Sequence, residues 1–508
     1  MSGSWRLDGV DLARLDRLAS RIALSLKTGD VLALSGPLGA GKTTLARALV
    51  GHLDGDTEVP SPTFALMQQY ETPRLTLNHC DFYRLQDDEL EELGLDDALA
   101  DGALLIEWPE RAAGWLPADR LDIALEETSD PGTRSLVLTG HGGWEPRLDR
   151  LRALAGFLDH TTYANADARF LQGDASTRSY ARLVLPDRRA ILMNAPRQPD
   201  GPPIRDGKPY SALVHLAEDV TPFVAVANAL RARGFAAPTI EAFDLEDGFI
   251  VLEDLGDRVF GAELERGGDQ AELWSAAVDV LLALAAAPPS ETLPIAGHPP
   301  YRLPLFDAQA MLIEASLIVE WLWPAVHGRE MPEDLRAEFE ALWRPHLEKA
   351  AKADPGWVLR DYHSPNLMWL PDREGVRNVG LLDFQDALSG PLAYDLVSLL
   401  QDARLEVPEA LERAELDRYC SARNAQGESF SSDDFRTLYA TLGAQRNSKI
   451  LGIFARLAKR DGKRGYLAHM PRVARYLERD LAHPALGDLR DFYAREFPSA
   501  ADLPPPSL

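Results

Sequence analysis

The sequence predicts an α/β chain in two parts: an N-terminal domain built on a phosphate-binding strand–loop–helix, then a C-terminal domain with a strand-rich and a helical lobe. Three observations predict it. A G-x4-G-K-T stretch stands between a short apolar run and a helical pattern. A glycine-rich break, TGHGGWEP, falls at 139–146. Strand signals dominate 170–252, and helical patterns dominate beyond 270 except around 357–385.

The 508 residues exceed one ordinary domain. No apolar run approaches the ~18 residues of a membrane span, and the N-terminus has no apolar signal core. Two distant cysteines, Cys80 and Cys420, make neither a disulfide framework nor a zinc pattern, so a reducing cytoplasm fits best. The net charge is -26, with 12 Lys+Arg against 25 Asp+Glu over residues 1–145 and the same excess of acid beyond. Neither half is a nucleic-acid binder by charge, so RNA would have to be held by a partner.

Apolar Leu12, Leu15, Leu18, Ile22 and Leu26 recur at helical spacing over 11–27. Val31–Ser35 reads as a buried strand, followed by a loop and a helix over 42–53. Further strands are expected at Phe64–Tyr70, Leu75–Cys80, Leu104–Glu107, Leu121–Leu125 and Ser135–Leu138. These give a domain over 1–145 and a linker over 146–160 containing a helix at about 148–158. The second domain spans 161–508, strand-rich over about 161–255 and helical over about 256–500. A helix is expected at about 219–233, and the Pro-rich stretch 196–209 reads as a loop and not a boundary.

Gly36-Pro37-Leu38-Gly39-Ala40-Gly41-Lys42-Thr43, followed by Thr44, is a P-loop in the required context. Its glycines let backbone N–H groups converge on phosphate oxygens, and the helix N-terminus adds favourable partial charge. Lys42 is placed to reach the β/γ-phosphates and Thr43 to ligate Mg²⁺. Asp81 and Glu107 each end an expected strand, and Thr63 lies in a short loop as a γ-phosphate sensor. His79 beside Cys80 is too few ligands for a metal site. GPLGAGKTT (36–44), SPTF (61–64), HCDFYRL (79–85), LGLDDAL (93–99) and IEWPER (106–111) together resemble the TsaE family, the ATPase of the bacterial system that makes N6-threonylcarbamoyladenosine in tRNA. The resemblance implies Mg²⁺ contact from Thr43 and Asp81, with Glu107 near the metal or the attacking water. It implies that Trp108 shapes the nucleotide or partner site, that Thr63 belongs to a switch, and that TsaB-like and TsaD-like partners carry the carbamoyl-transfer chemistry and hold the tRNA. A nucleotide-dependent binding module without turnover is the alternative.

In the second domain, Asp361 and Asn366 have the D-x4-N spacing of a kinase catalytic loop: a base for an alcohol and an Mg²⁺ ligand. Asp383, seventeen residues on at the end of VGLLD, is a second metal ligand across a hairpin. With GDASTRSYARL (173–183), ILMNAP (191–196), FIVLEDLGD (249–257), RDYHSPNLMWL (360–370) and GLLDFQDALSGPLAYDLVSLL (380–400), the set resembles the aminoglycoside phosphotransferase/choline kinase superfamily. In particular it looks like the AmgK branch, anomeric kinases of N-acetylmuramate and N-acetylglucosamine used in cell-wall recycling. The resemblance implies a bilobal protein-kinase-like fold beside the P-loop NTPase domain, ATP with Mg²⁺, a turn over the phosphates at Ser176–Tyr180 including Arg178, and a hinge at Glu253 that receives adenine. Two positions depart from the pattern: Leu359 stands where a His is usual, and strand Ile191–Asn194 lacks the phosphate-contacting Lys. Arg178 or Arg182 replaces that charge, or the metal ions carry more of it, or the kinase is dead. An aminoglycoside or choline-type kinase and a pseudokinase scaffold are the alternatives. A muramate acceptor needs a cation for its carboxylate, and Arg446 and Arg456 are candidates that sequence alone does not place.

Overall fold

The computed structural model describes residues 3–54, 67–85, 90–112, 114–171, 178–199, 201–426 and 430–501. The chain divides into two compact units, Met1–Pro196 with Glu241–Asp254, and Arg197–Ile240 with Leu255–Leu508. The first holds the P-loop domain together with the sheet of the strand-rich lobe.

In chain order the first unit runs β1 (Ser4–Val10), α1 (Leu12–Ser25), β2 (Val31–Ser35), α2 (Lys42–Asp54), β3 (Met67–Glu71), β4 (Thr76–Asp81), α3 (Leu95–Asp101), β5 (Gly102–Glu107), β6 (Arg120–Glu127), β7 (Arg134–His141), α4 (Trp144–Asp159), β8 (Asp167–Leu171), β9 (Ser179–Val184) and β10 (Arg189–Asn194). β1–β7 form one sheet in the order β1-β7-β6-β2-β5-β4-β3. Its centre, β6-β2-β5-β4, is parallel, and β7 and β3 join antiparallel. β2 and β5 are buried along nearly their whole length, which explains their unbroken apolar runs. β1 is an edge strand with no counterpart in the sequence reading. Charge at Arg6 and Asp8 masks the alternation of Trp5 and Leu7, both of which pack against the core.

The segment expected to link the domains, 146–160, is almost wholly α4. Trp144, Leu148 and Leu151 lie in the core of the P-loop sheet, whereas Leu154 and Leu158 lie in a second core with Ala181, Leu183, Leu192, Phe249 and Val251. That second core covers one face of a five-stranded sheet, ordered Ile240–Asp244, Phe249–Glu253, β10, β9, β8. One helix therefore serves both sheets. The division between units falls instead at Pro196, at the start of the Pro-rich stretch expected to be a loop and not a boundary. Pro196 has no N–H to continue a ladder, so the chain leaves the sheet there.

Polar contacts reinforce the joint. Arg150 donates to Asn194 Oδ1 at 2.6 and 3.1 Å and lies 3.8 Å from the Phe249 ring centroid. His52 of α2 stands between Asp16 (3.1 Å) and Asp167 of β8 (3.2 Å). Burial opposes protonation of His52, but the bond to Asp167 and the two carboxylate charges outweigh it and raise its pKa above 6.5. The bond from His52 holds Asp167 down at about 2. The raised His52 stabilises below its unfolded pKa and loses that contribution as pH rises through the folded one; the depressed Asp167 stabilises above 3.8 and loses it as pH falls towards 2. We expect β8 to be most protected between about pH 4 and 6.5. Hydrogen exchange at pH 6 and 8.5, corrected for intrinsic rates, should show β8 opening at the higher pH, and His52→Gln should remove the difference.

The second unit carries helix Thr221–Ala232, where one was expected, and is otherwise mainly helical. Hairpin Thr292–Ile295/His298–Arg302 was not foreseen, because its prolines mask the strand signal. Helical stretch Ala308–His327 has a mean hydropathy of 1.2 over its most apolar window and is mostly buried. It comes nearer to a membrane-span composition than the sequence reading allowed, but it holds Glu314 and Glu320 and packs inside the unit.

Candidate active sites

The P-loop site forms where β2 gives way to α2. Gly36 has φ +135°, and a Cβ there would lie 2.4 Å from Leu125 O, so only glycine fits the turn. Gly39 and Gly41 also have positive φ, at +82° and +106°. Ala40 is buried, Thr44 is exposed, and the Ala40 carbonyl accepts from Arg134 Nε at 3.1 Å. Lys42 is 4% exposed. Its Nζ donates to Gly36 O (2.7 Å) and Pro37 O (3.0 Å) and lies 3.7 Å from the Trp108 ring centroid. Burial lowers its pKa, against the pull of Glu107, Glu110 and Asp81. Trp108 itself has φ +60° and meets Tyr83 ring to ring at 5.0 Å.

Parallel pairing brings Asp81 and Glu107 side by side at the ends of β4 and β5. Thr43 Oγ1 donates to Glu107 Oε2 at 3.0 Å, and His79 Nε2 lies 3.0 Å from Glu107 Oε1. The buried Glu107 carboxylate is thus held at both oxygens. Asp81 accepts from Tyr83 N at 3.0 Å; burial raises its pKa, and neighbouring Glu107 adds to this. His79 and Cys80, adjacent in sequence, do not act together. His79 orients Glu107, while Cys80 is buried with its thiol pushed up to about 12. Thr63 lies outside the described residues.

In the second unit, strand Pro355–Val358 pairs antiparallel with Leu388–Pro391 and delivers the loop 359–366. Buried Asp395 accepts from the N–H of Leu359 (2.5 Å) and of Arg360 (2.9 Å), fixing the backbone just before Asp361. Sequence reasoning gave Asp395 no role; a lone acid in LAYDLVSLL was its only signal. Burial raises its pKa to about 7, with the two N–H groups opposing. Leu359, in the position where His is usual, is buried. Arg360, with φ +72°, is buried in an ion pair with Glu314.

Asn366 Nδ2 donates to Asp361 O at 2.9 Å, and Asn366 O accepts from Leu382 N at 3.0 Å. Hairpin Leu367–Trp369/Val379–Leu381 follows directly. Its base therefore joins Asn366 to Asp383, which has φ +56° and accepts from Gln385 Nε2 at 2.9 Å. Gln385 Oε1 and His363 Nδ1 are buried without a partner among the described residues. No group of three or more His, Cys, Asp or Glu suited to a metal occurs among the described residues.

The strand-rich sheet belongs to the first unit. Arg182 pairs there with Asp254, Nε to Oδ2 at 2.8 Å, which commits its charge to an ion pair. Arg178 immediately precedes β9, and Glu253 ends its strand opposite Ala190. Ser176 lies outside the described residues.

Residues 167–430 match the model of the phosphotransferase enzyme family, APH. The chain belongs to that family. Residues 10–136 match the model described as threonylcarbamoyl adenosine biosynthesis protein TsaE. N-acetylmuramate/N-acetylglucosamine kinase of Caulobacter vibrioides is 40% identical over 359 residues, covering 69% of this chain and 97% of that protein. The protein of that name from Pseudomonas aeruginosa is 35% identical, covering 63% and 86%. tRNA threonylcarbamoyladenosine biosynthesis protein TsaE of Rickettsia bellii is 40% identical over 114 residues, covering 22% of this chain and 79% of its own length. A TsaE domain thus precedes a phosphotransferase domain whose curated relatives are amino-sugar kinases, and the chain is an enzyme.

Proposed function

We propose that the phosphotransferase half transfers the γ-phosphoryl group of ATP to the anomeric hydroxyl of N-acetylmuramate or N-acetylglucosamine. The TsaE half, on the same reading, hydrolyses ATP to drive or reset a tRNA-modifying complex with TsaB-like and TsaD-like proteins. The observation that carries the first part is the hairpin base, where one short strand pair ties Asn366 to Asp383 and Asn366 Nδ2 reaches the Asp361 carbonyl. When bound, magnesium–ATP supplies the phosphoryl group and the counter-charge for its transfer. Asp361 accepts the proton of the acceptor hydroxyl; Asn366 and Asp383 hold the metal. Gln385 fixes the Asp383 carboxylate, and its own unpartnered oxygen suits a metal-bound water.

In the TsaE half, phosphate oxygens would replace the Gly36 and Pro37 carbonyls now engaged by Lys42. Thr43 and Asp81 hold the metal there, and Glu107, steadied by His79, orients water.

The test is an acceptor screen with labelled ATP and the full chain. Phosphate on the anomeric oxygen of either amino sugar is the expected product. Transfer to aminoglycosides or choline alone would reassign the acceptor, and ATP binding without any transfer would leave a scaffold.

A further inference from the structure

Helix Ser432–Asp461 runs thirty residues through the second unit, and most polar side chains along its middle are accounted for. Gln445 donates to Met311 O and Glu314 Oε2, Asn447 to Gln401 and Asp480, and Ser448 to Ala444 O. Gln445 Oε1 and Asn447 Oδ1 nevertheless keep no partner among the described residues, and between them stands Arg446. It is 4% exposed and makes no hydrogen bond or ion pair with any described residue, and its Nη1 is enclosed without a partner. A buried guanidinium without a direct partner is strongly unfavourable; Asp395 offsets part of its charge but makes no bond to it, which leaves the site suited to a further anion.

The nearby carboxylates are already engaged. Both Asp395 oxygens accept backbone N–H groups, and Glu314 serves Arg360, Lys449 and Gln445. Lys449, three residues along and on the same helix face, reaches Glu314 Oε1 at 2.7 Å and Tyr394 OH at 3.3 Å. Tyr394 feels the charges of both Arg446 and Asp361, and Lys449 feels that of Asp361. Glu314 joins Lys449 to Arg360, the residue before Asp361, which ties this part of the helix to the loop 359–366. Seven residues beyond Lys449, Arg456 extends the stripe; its Nε is also without a partner, and its guanidinium lies 6.0 Å from the Tyr210 ring centroid. Lys449 is paired with Glu314, whereas Arg446, the deepest of the three cations, has a buried nitrogen with no partner. This is the electrostatic signature of a site completed by an anion.

We propose that Arg446, with Lys449 beside it, pairs the carboxylate of an amino-sugar acid whose anomeric hydroxyl faces Asp361. The pair thereby sets the preference for a carboxylated over an uncharged acceptor. The proposal rests on the amino-sugar kinase reading and deepens it. The anion is assigned to the acceptor and not to the nucleotide because Asn366 and Asp383 already provide for the triphosphate and its metal.

The experiment compares kcat/KM for N-acetylmuramate and N-acetylglucosamine in the full chain and in Arg446→Gln, Arg446→Lys and Lys449→Met. The ratio of the two constants should fall about tenfold or more in Arg446→Gln, mainly through the KM of the acid, with partial recovery in Arg446→Lys. A ratio within about twofold of wild type overturns the proposal. So does an equal loss on both sugars, which would mark the cation as a clamp on the transferred phosphoryl group. Should Arg446→Gln fail to fold, Lys449→Met carries the same comparison. A melting shift with each sugar in the absence of ATP reads binding without turnover. If the wild type phosphorylates neither sugar, the kinase reading fails by itself. The carboxylate site then stands on a melting shift with N-acetylmuramate that N-acetylglucosamine does not give, and it falls without one.

Discussion

Asp361→Asn is expected to cut sugar-phosphate formation by roughly 10²–10⁴-fold, the usual worth of a positioned general base. ATP affinity should change little. The substitution keeps the side-chain shape and removes only the ability to take a proton. The backbone around it is held by other groups: Asp395 fixes Leu359 and Arg360, and Asn366 Nδ2 binds the Asp361 carbonyl and not its carboxylate. A structural collapse is therefore not expected, and an unchanged melting temperature checks this. Product formation is read with the preferred acceptor, and ATP affinity by calorimetry. Wild-type-like turnover would remove Asp361 from the base role. A large loss of ATP affinity would recast it as a metal ligand.

How far the sequence disclosed this arrangement depends on the range of the interaction. The P-loop was legible because its requirements are local: a buried strand, glycines at positive φ and a helix opening at Lys42. The nearness of Asn366 and Asp383 was legible for the same reason, since one short hairpin ties them. The double duty of α4 was not. Its apolar positions Trp144, Leu148, Leu151, Leu154 and Leu158 form one stripe, and nothing in that stripe says that two sheets divide it. The bond between His79 and Glu107 spans neighbouring parallel strands, so it appears only once the sheet order is known. Arg182 was a candidate for the missing lysine charge, and its pairing with Asp254, seventy-two residues away, is equally invisible in one dimension. The isolation of Arg446 is of the same kind, because an absent partner is a property of the packed interior.

The TsaE half yields the second large effect. Glu107→Gln should lower ATP hydrolysis by about 10²-fold or more while ATP remains bound. Glutamine preserves volume and still offers an oxygen to the Thr43 hydroxyl, so the P-loop cradle, built from backbone and Lys42, is left in place. What disappears is the negative charge beside Asp81 and the acceptor strength available to a metal or a water. Glu107→Ala is the harsher variant, because it strands both the Thr43 hydroxyl and the buried His79 ring; leaving a buried polar group unpaired costs about 1–3 kcal/mol. Its melting temperature should fall, whereas that of Glu107→Gln should not. Hydrolysis must be read without acceptor sugar and in the Asp361→Asn background, so that turnover by the phosphotransferase half does not contribute. The measurement is then repeated with TsaB-like and TsaD-like proteins present. Retained ATP binding with lost hydrolysis supports an ATPase whose Glu107 acts on water or metal. Hydrolysis that is negligible in the wild type under every condition, with ATP still bound, would make this half a nucleotide-dependent binding module in which Glu107 serves only to hold Thr43 and His79 together.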